Sequence, residues 1–325
     1  MYDHPICSEA LRNEVSIVTG TPTMTLTGLW TVLRRALAGW WNDNVPHLGA
    51  ALSYYTLFSL APILIVAIAI AGLAFGAEAV RGEIVYQIDG LVGRQGGLAV
   101  QAMLQGAARP SSSVPATVIG VITFFIGATG AFLELQTALN TIWRVKPKSS
   151  GNWFRVLLMQ RLISFALVVG VGFLLLTSLL VSAGLAALHR YMGDTYPAVA
   201  VVWEALNVIV SLGVITLLFA MIYKVLPDVD LAWSDVWVGG LVTAGLFTIG
   251  KSLIGLYLGT SGFSSSYGAA GSVIVLLVWV YYSSQIVLLG AEFTREYVSE
   301  FGKRPKPSEF AKKAPKGDPG NRVTG

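Results

Sequence analysis

Charged residues are scarce in this chain of 325 residues, where Asp, Glu, Lys and Arg make up only 12%. A soluble domain carries about 25%, so the shortage excludes a conventional water-facing surface. It is sharpest in the body, because 12 of these residues lie beyond Glu292. With 54% hydrophobic residues, the body has too much apolar surface to be disordered and too little polar surface to stay dispersed in water. An integral membrane protein is the class that remains. Cysteine is almost missing as well. Cys7 stands alone, which excludes an intramolecular disulfide and a multi-cysteine metal cluster. The histidines, His4, His47 and His189, have no partner at metal-ligand spacing. Neither a glycine loop ending in Lys-Ser/Thr nor a glycine-flanked serine elbow is present. The sequence therefore points to no catalytic residue, no metal and no cofactor. A net charge of +4 does not argue for nucleic acid, because the basic residues sit at segment ends and in the tail rather than along one face.

Long uncharged runs are what the chain has in abundance, and a bilayer crossing needs about 20 apolar residues of helix. Such runs predict an all-α polytopic membrane protein with six transmembrane helices, at about 48–75, 116–140, 162–188, 198–223, 236–258 and 272–292. The last two come from one stretch too long for a single crossing, broken by the glycine- and serine-rich segment 259–272. Residues 28–44 place Leu29, Val32, Leu33, Ala36, Leu37 and Trp40 on one helical face, which predicts an amphipathic helix lying in the membrane interface ahead of the first span. The connection 76–114 has helix-compatible apolar spacing and reads as a partly helical, partly embedded loop. Flanking the six-span domain, 28–300, are an N-terminal tail, 1–27, and a basic tail, 301–325, whose proline, lysine and glycine content predicts disorder. No cleavable signal peptide is expected, since the first apolar run starts late and is long. Lys and Arg concentrate in the approach to span one, the second-to-third and fourth-to-fifth connections and the tail. By the positive-inside rule both termini are cytoplasmic.

Ionisable and polar residues inside spans are costly, which makes them the first functional candidates. Their bland alternative is helix packing, and the sequence favours that alternative for any single residue. Span two carries Thr123, Gly127, Gly130, Glu134, Thr137 and Thr141 on one face. Span four carries Glu204, Asn207 and Ser211. In span six Tyr281, Gln285 and Glu292 share a face at spacings of four and seven. Together these stripes are candidates to line a polar cavity or groove. Helical rise places Glu204 and Lys251 level, each about 10 Å from the outer end of its span, so an ion pair between them is expected. Glu134 and Arg161 could form a second pair near the cytoplasmic ends. Lys224, Asp228, Asp230 and Asp235 crowd the fourth-to-fifth connection, which reads as a solvated turn more readily than as a cation site. Pro62 falls mid-span and is expected to kink the first helix.

Several strings occur together: AALSYYTLFSLAP (50–62), LQTALNTIW (135–143), IYKVLPD (222–228), LFTIGKSLIGLYL within 243–258, YGAAGS (267–272) and GAEFT (290–294). In order and combination they resemble the YihY/virulence factor BrkB family of bacterial inner-membrane proteins, formerly labelled ribonuclease BN. The resemblance covers about 28–300 and singles out Lys224, Asp228, Asp235, Tyr267, Gly268 and Gly271. It implies a six-span protein of the bacterial cytoplasmic (inner) membrane without an established catalytic mechanism. The family's links to serum resistance and to envelope lipid or lipopolysaccharide export imply a transporter or lipid-handling protein, with membrane lipids as partners and a lipid or lipopolysaccharide-type substrate. A non-transporting scaffold for envelope partners is the alternative, and a membrane-associated ribonuclease a distant third.

Overall fold

The computed structural model describes residues 26–107, 130–147, 197–260, 270–302, 305–308 and 311–313. Helix α1 (Leu26–Asn42) leads into α2 (Val45–Phe75). Asn44, in the left-handed region at φ 53°, makes the turn between them, and Pro46 sits in the first turn of α2, where a missing N–H costs nothing. Gly76 and Gly93, at φ 85° and 81°, then fold the chain back twice. Side chains rarely adopt that conformation. The two glycines therefore delimit α3 (Ala77–Val92) and α4 (Arg94–Ala107), which pack on each other and on α2 and α8. These are the helices expected in the first-to-second connection.

Residues 130–142 form helix α5, followed by strand β1 (Val145–Pro147). Helix α6 (Pro197–Val225), strand β2 (Val229–Asp230) and helix α7 (Trp233–Thr260) make an antiparallel hairpin. Phe219 stacks edge-on to Phe247 at 5.7 Å in that hairpin, and Gly240 brings the two backbones together against Thr216 and Ala220. Helix α8 (Gly271–Phe301) is the central element, contacting α1, α2, α4 and α7. Strands β3 (Lys306–Pro307) and β4 (Ala311–Lys313) close the described chain.

Four of the described helices contain a segment long and apolar enough to cross a membrane: 45–65, 208–225, 233–258 and 271–301. These coincide with the first, fourth, fifth and sixth expected spans. Of span two only 130–140 is described; span three and Arg161 lie outside the described residues. Leu241, Ile249, Leu253 and Leu256 on α7, and Tyr54 and Phe58 on α2, face outward. A continuous apolar exterior of this kind is what lipid covers.

Three expectations need correcting. The last helix extends past the expected span end at Glu292 by nine residues, to Phe301, because Arg295 is paired with Asp43 and Glu296 inside the protein. Helix α1 does not offer one undivided apolar face: Val32 and Ala36 are fully buried against the bundle, while Leu29, Leu33 and Leu37 are exposed. The residues after 301 are not wholly disordered. β4 pairs antiparallel with β1 in the register Val145↔Lys313, Lys146↔Lys312, Pro147↔Ala311, and β3 pairs with β2 as Val229↔Pro307 and Asp230↔Lys306. Backbone pairing and the burial of Ala311 hold this segment despite its polar composition.

The buried apolar residues form two clusters. One, at what is here termed the near end, includes Val32, Leu139, Ile142, Tyr223, Leu226, Leu288 and Val298. The other, at the far end, includes Ile68, Val100, Leu104, Ile254, Val275 and Leu276.

Candidate functional site

The polar chemistry gathers at the near end, around Arg295. This residue lies one helical turn beyond Glu292 on α8 and is 13% exposed. Its Nη1 donates to Asp43 Oδ2 at 2.7 Å and to the Ile142 carbonyl at 2.7 Å. Nε and Nη2 donate to Glu296 Oε1 at 3.2 and 2.9 Å. Nη2 also lies 2.9 Å from Glu292 Oε2, although that contact lacks hydrogen-bond alignment. One guanidinium thus joins the α1–α2 turn, the end of α5 and α8, using the rigid fork that distinguishes arginine from lysine. Arg144 approaches Asp43 at 3.8 Å from the α5–β1 turn.

Local backbone geometry supports this convergence. Asn44, next to Asp43, and Arg144 are the non-glycine residues with positive φ among those described, at 53° and 54°. Strained turns of this kind persist where surrounding contacts determine them. Gly39 on α1 provides the remaining space: a Cβ there would lie 2.6 Å from Glu292 Oε2 and 2.9 Å from Arg295 Nη2.

Three further polar contacts brace the near end. Asn140 Nδ2 donates to Asp228 Oδ2 at 2.8 Å, and the Asp228 backbone N–H donates to Asn140 Oδ1 at 2.8 Å. Gln136 Nε2 reaches the other oxygen of Asp228 at 3.3 Å. Tyr223 donates to the Val287 carbonyl at 2.7 Å and lies 3.0 Å from the Thr243 hydroxyl. Arg35 pairs with Glu300 at 2.8 Å on the outer flank of α1.

The residues singled out from sequence meet this arrangement unevenly. Glu292 is at its centre, fully buried. Gln285 is half-buried, accepts from Trp40 Nε1 at 3.1 Å, and has an Nε2 that is buried without a hydrogen-bond partner. Tyr281, on the same face, is exposed. Glu134 is half-buried on α5, and the hydroxyls of Thr137 and Thr141 donate to carbonyls one turn back along their own helix. Lys251 is exposed on α7; the side chains of Glu204 and Asn207 lie outside the described residues, as do Thr123, Tyr267 and Gly268. Gly271 is the buried first residue of α8. The crowded turn is dispersed: Lys224 donates to the Leu231 carbonyl, Asp228 is held by Asn140, and Asp235 accepts from Ser234 at 3.3 Å. Among the described residues no three His, Cys, Asp or Glu side chains are grouped as metal ligands would be.

Sequence reasoning missed Asp43, Asn140, Arg144, Arg295 and Glu296. One signal was present: Glu292, Arg295 and Glu296 lie at spacings of three and four, so they share a helical face. Asp43 and Asn140 carried no such signal, being far from α8 in the chain.

Comparison with known proteins agrees with this architecture. Residues 36–314 match the Virulence factor BrkB family. A UPF0761 membrane protein of Psychrobacter is 26% identical over 81% of this chain and 47% of its own length. Its counterpart in Pseudomonas paraeruginosa is 30% identical over 77% of this chain and 58% of its own. A third, from Tolumonas auensis, is 28% identical over 78% of this chain and 81% of its own. The chain thus spans about half the length of the first two relatives. No solved structure matches it. A family match across most of the chain, on a helical bundle with membrane-length apolar helices, places this protein in the Virulence factor BrkB family of membrane proteins.

Proposed function

We propose that this is a bacterial inner-membrane protein that moves or handles an envelope lipid, with the polar row of α8 as the surface that a headgroup meets. The observation that carries this reading is the gradient along one helical face. Tyr281 is exposed, Gln285 is half-buried with an unpartnered Nε2, and Glu292 is completely buried. Polar atoms of this kind are unfavourable in hydrocarbon, and a simple anchor has no use for them. Glycines on the neighbouring helices lie close against the row: Gly49 over Gln285 and Gly39 over Glu292. A phospholipid or lipopolysaccharide-type headgroup can exchange hydrogen bonds with such a row while its chains stay in lipid.

The test is reconstitution into vesicles carrying a fluorescent lipid, with movement between leaflets followed by quenching from outside. Wild-type protein should accelerate movement, and Tyr281→Leu combined with Gln285→Leu should reduce it about tenfold, well beyond Trp40→Phe, which removes only the Trp40–Gln285 hydrogen bond. Absence of acceleration by wild-type protein, or full activity of the double variant, would overturn the reading. A scaffold that binds partners through its tail is supported less well, because β3 and β4 are paired within the molecule. The ribonuclease reading has less support still, since Asp228 is tied to Asn140 and Gln136.

A further inference from the structure

We infer that Glu292 is a proton-binding site, and that a proton is the ion coupled to the lipid movement proposed above; the coupling rests on that reading, whereas the site does not.

The argument starts from hydrogen-bond supply. A carboxylate removed from water needs donors or a well-aligned countercharge. Glu292 is 0% exposed, and neither of its oxygens has a hydrogen-bond partner. Arg295 does not provide them in this geometry: four of its five N–H groups are directed to Asp43, the Ile142 carbonyl and Glu296, and the fifth, on Nη2, is not aligned with Glu292. Its Nη2 is close enough to Glu292 to attract charge, without the alignment of a bond.

Charge balance leads to the same residue. Three carboxylates, Asp43, Glu292 and Glu296, face Arg295 and the more distant Arg144, which is 66% exposed. Of the three, Glu292 has the weakest hold on these cations. Asp43 accepts from Arg295 and is approached by Arg144, while Glu296 accepts twice from Arg295. Both are also partly exposed, at 16% and 17%. They are suited to carry charge and Glu292 is not.

Among the described residues, the other elements around the site bring no further cation to Glu292. Helix α1 presents Gly39 there, and its Arg35 is engaged by Glu300 farther out. From α6 comes the phenol of Tyr223, which donates to the Val287 carbonyl. A proton on Glu292 removes its buried charge and makes the carboxyl a donor facing Asp43. Partly exposed Asp43 and Glu296 then offer the exit to solvent at the near end.

Infrared difference spectroscopy of the full chain in lipid nanodiscs, recorded across a pH step, tests the site. A protonated-carboxyl stretching band should appear in wild-type protein, vanish in Glu292→Gln and persist in Glu296→Gln. If Glu292→Gln fails to fold, isotopically labelled glutamate decides on wild-type and Glu296→Gln protein: the band must shift with the label in both. Lack of a titrating band, survival of the band in Glu292→Gln, or its failure to shift would overturn the proposal. So would a spectrum that responds to replacement of sodium by a bulky organic cation and not to pH, which would assign the site to a metal cation. Coupling is read separately: a pH gradient should change wild-type lipid movement several-fold and leave Glu292→Gln unaffected. A titrating Glu292 without lipid movement would refute the transport reading and leave the proton site standing; lipid movement without the band would do the reverse.

Discussion

At the residue scale, the near end depends on side chains that are each short of alternatives. Asn140 is 7% exposed and makes two hydrogen bonds to one residue, donating to the Asp228 carboxylate and accepting from its backbone. Asn140→Ala should therefore destabilise the protein by about 2 kcal/mol, the worth of one neutral and one charge-assisted bond. Asn140→Asp should cost more, because it sets two carboxylates together and loses the donor. Thermal unfolding in detergent checks both; an Asn140→Ala midpoint equal to wild type would remove the bridge from the account. Gly39 is limiting for a steric reason. Alanine there would press on the ends of fully buried Glu292 and of Arg295, which its bonds to Asp43 and Glu296 hold in place. Overpacking of this kind costs about 1–3 kcal/mol, so Gly39→Ala should lower the midpoint, whereas Gly82→Ala, where a Cβ meets nothing, should leave it unchanged. Of these residues the sequence made only Glu292 visible, as a lone charge ending an apolar run. Its partners come from elements 249 residues before it and three residues after it in the chain. Spacing can suggest the second kind of partner but carries no trace of the first.

Elements were legible to the extent that one physical property determined them. Apolar runs announce helices because the bilayer demands internally satisfied backbone, and α2 and α7 accordingly begin within three residues of the expected starts. The same criterion ended α8 too early. A hydropathy reading stops at the first charge, yet Arg295 pairs with Asp43 and Glu296 within the protein, so the helix continues. The tail failed differently. Its strands are two and three residues long, and each is stabilised by a partner far away in sequence, which composition cannot reveal. Removal of residues 303–325 would strip both pairings and uncover Val145 and Val229, which are buried. The truncated protein should lose about 1–2 kcal/mol of stability and be cleaved faster by protease around residues 144–148. Ala311→Glu, which forces a charge into a position only 3% exposed, should reproduce both effects with the tail still present. If neither change alters cleavage, the strand pairings do not hold the inner loops. A functional defect after tail truncation is therefore not sufficient evidence for a partner-binding arm.

For the whole molecule, the small sheets constrain topology more tightly than hydropathy does. β4 lies on β1, β3 lies on β2, and Asp43 binds Arg295, so five separated points of the chain share one end of the bundle. Helix α2 carries the chain from that end to the far cluster, where α3 and α4 pack, and by Ile142 the chain has returned. α6 approaches the near end from Pro197. α7 and α8 supply the last departure and return. The near end also carries Arg34, Arg35, Arg144, Lys146, Lys224, Arg295, Lys306, Lys312 and Lys313, against Arg81 and Arg94 on α3 and α4. By the positive-inside rule that asymmetry predicts a cytoplasmic near end. Because Cys7 is the sole cysteine, Cys7→Ser provides a background for single-cysteine labelling. In intact spheroplasts an impermeant maleimide should react with a cysteine at exposed Glu78 and spare cysteines at exposed Lys146, Asp230 and Lys306, which should react together once the membrane is opened. Mixed accessibility among the last three would break the sheet-based topology. Uniform labelling of those three with protection at Glu78 would keep the pairing and invert the molecule, placing the Glu292 cluster on the outer face.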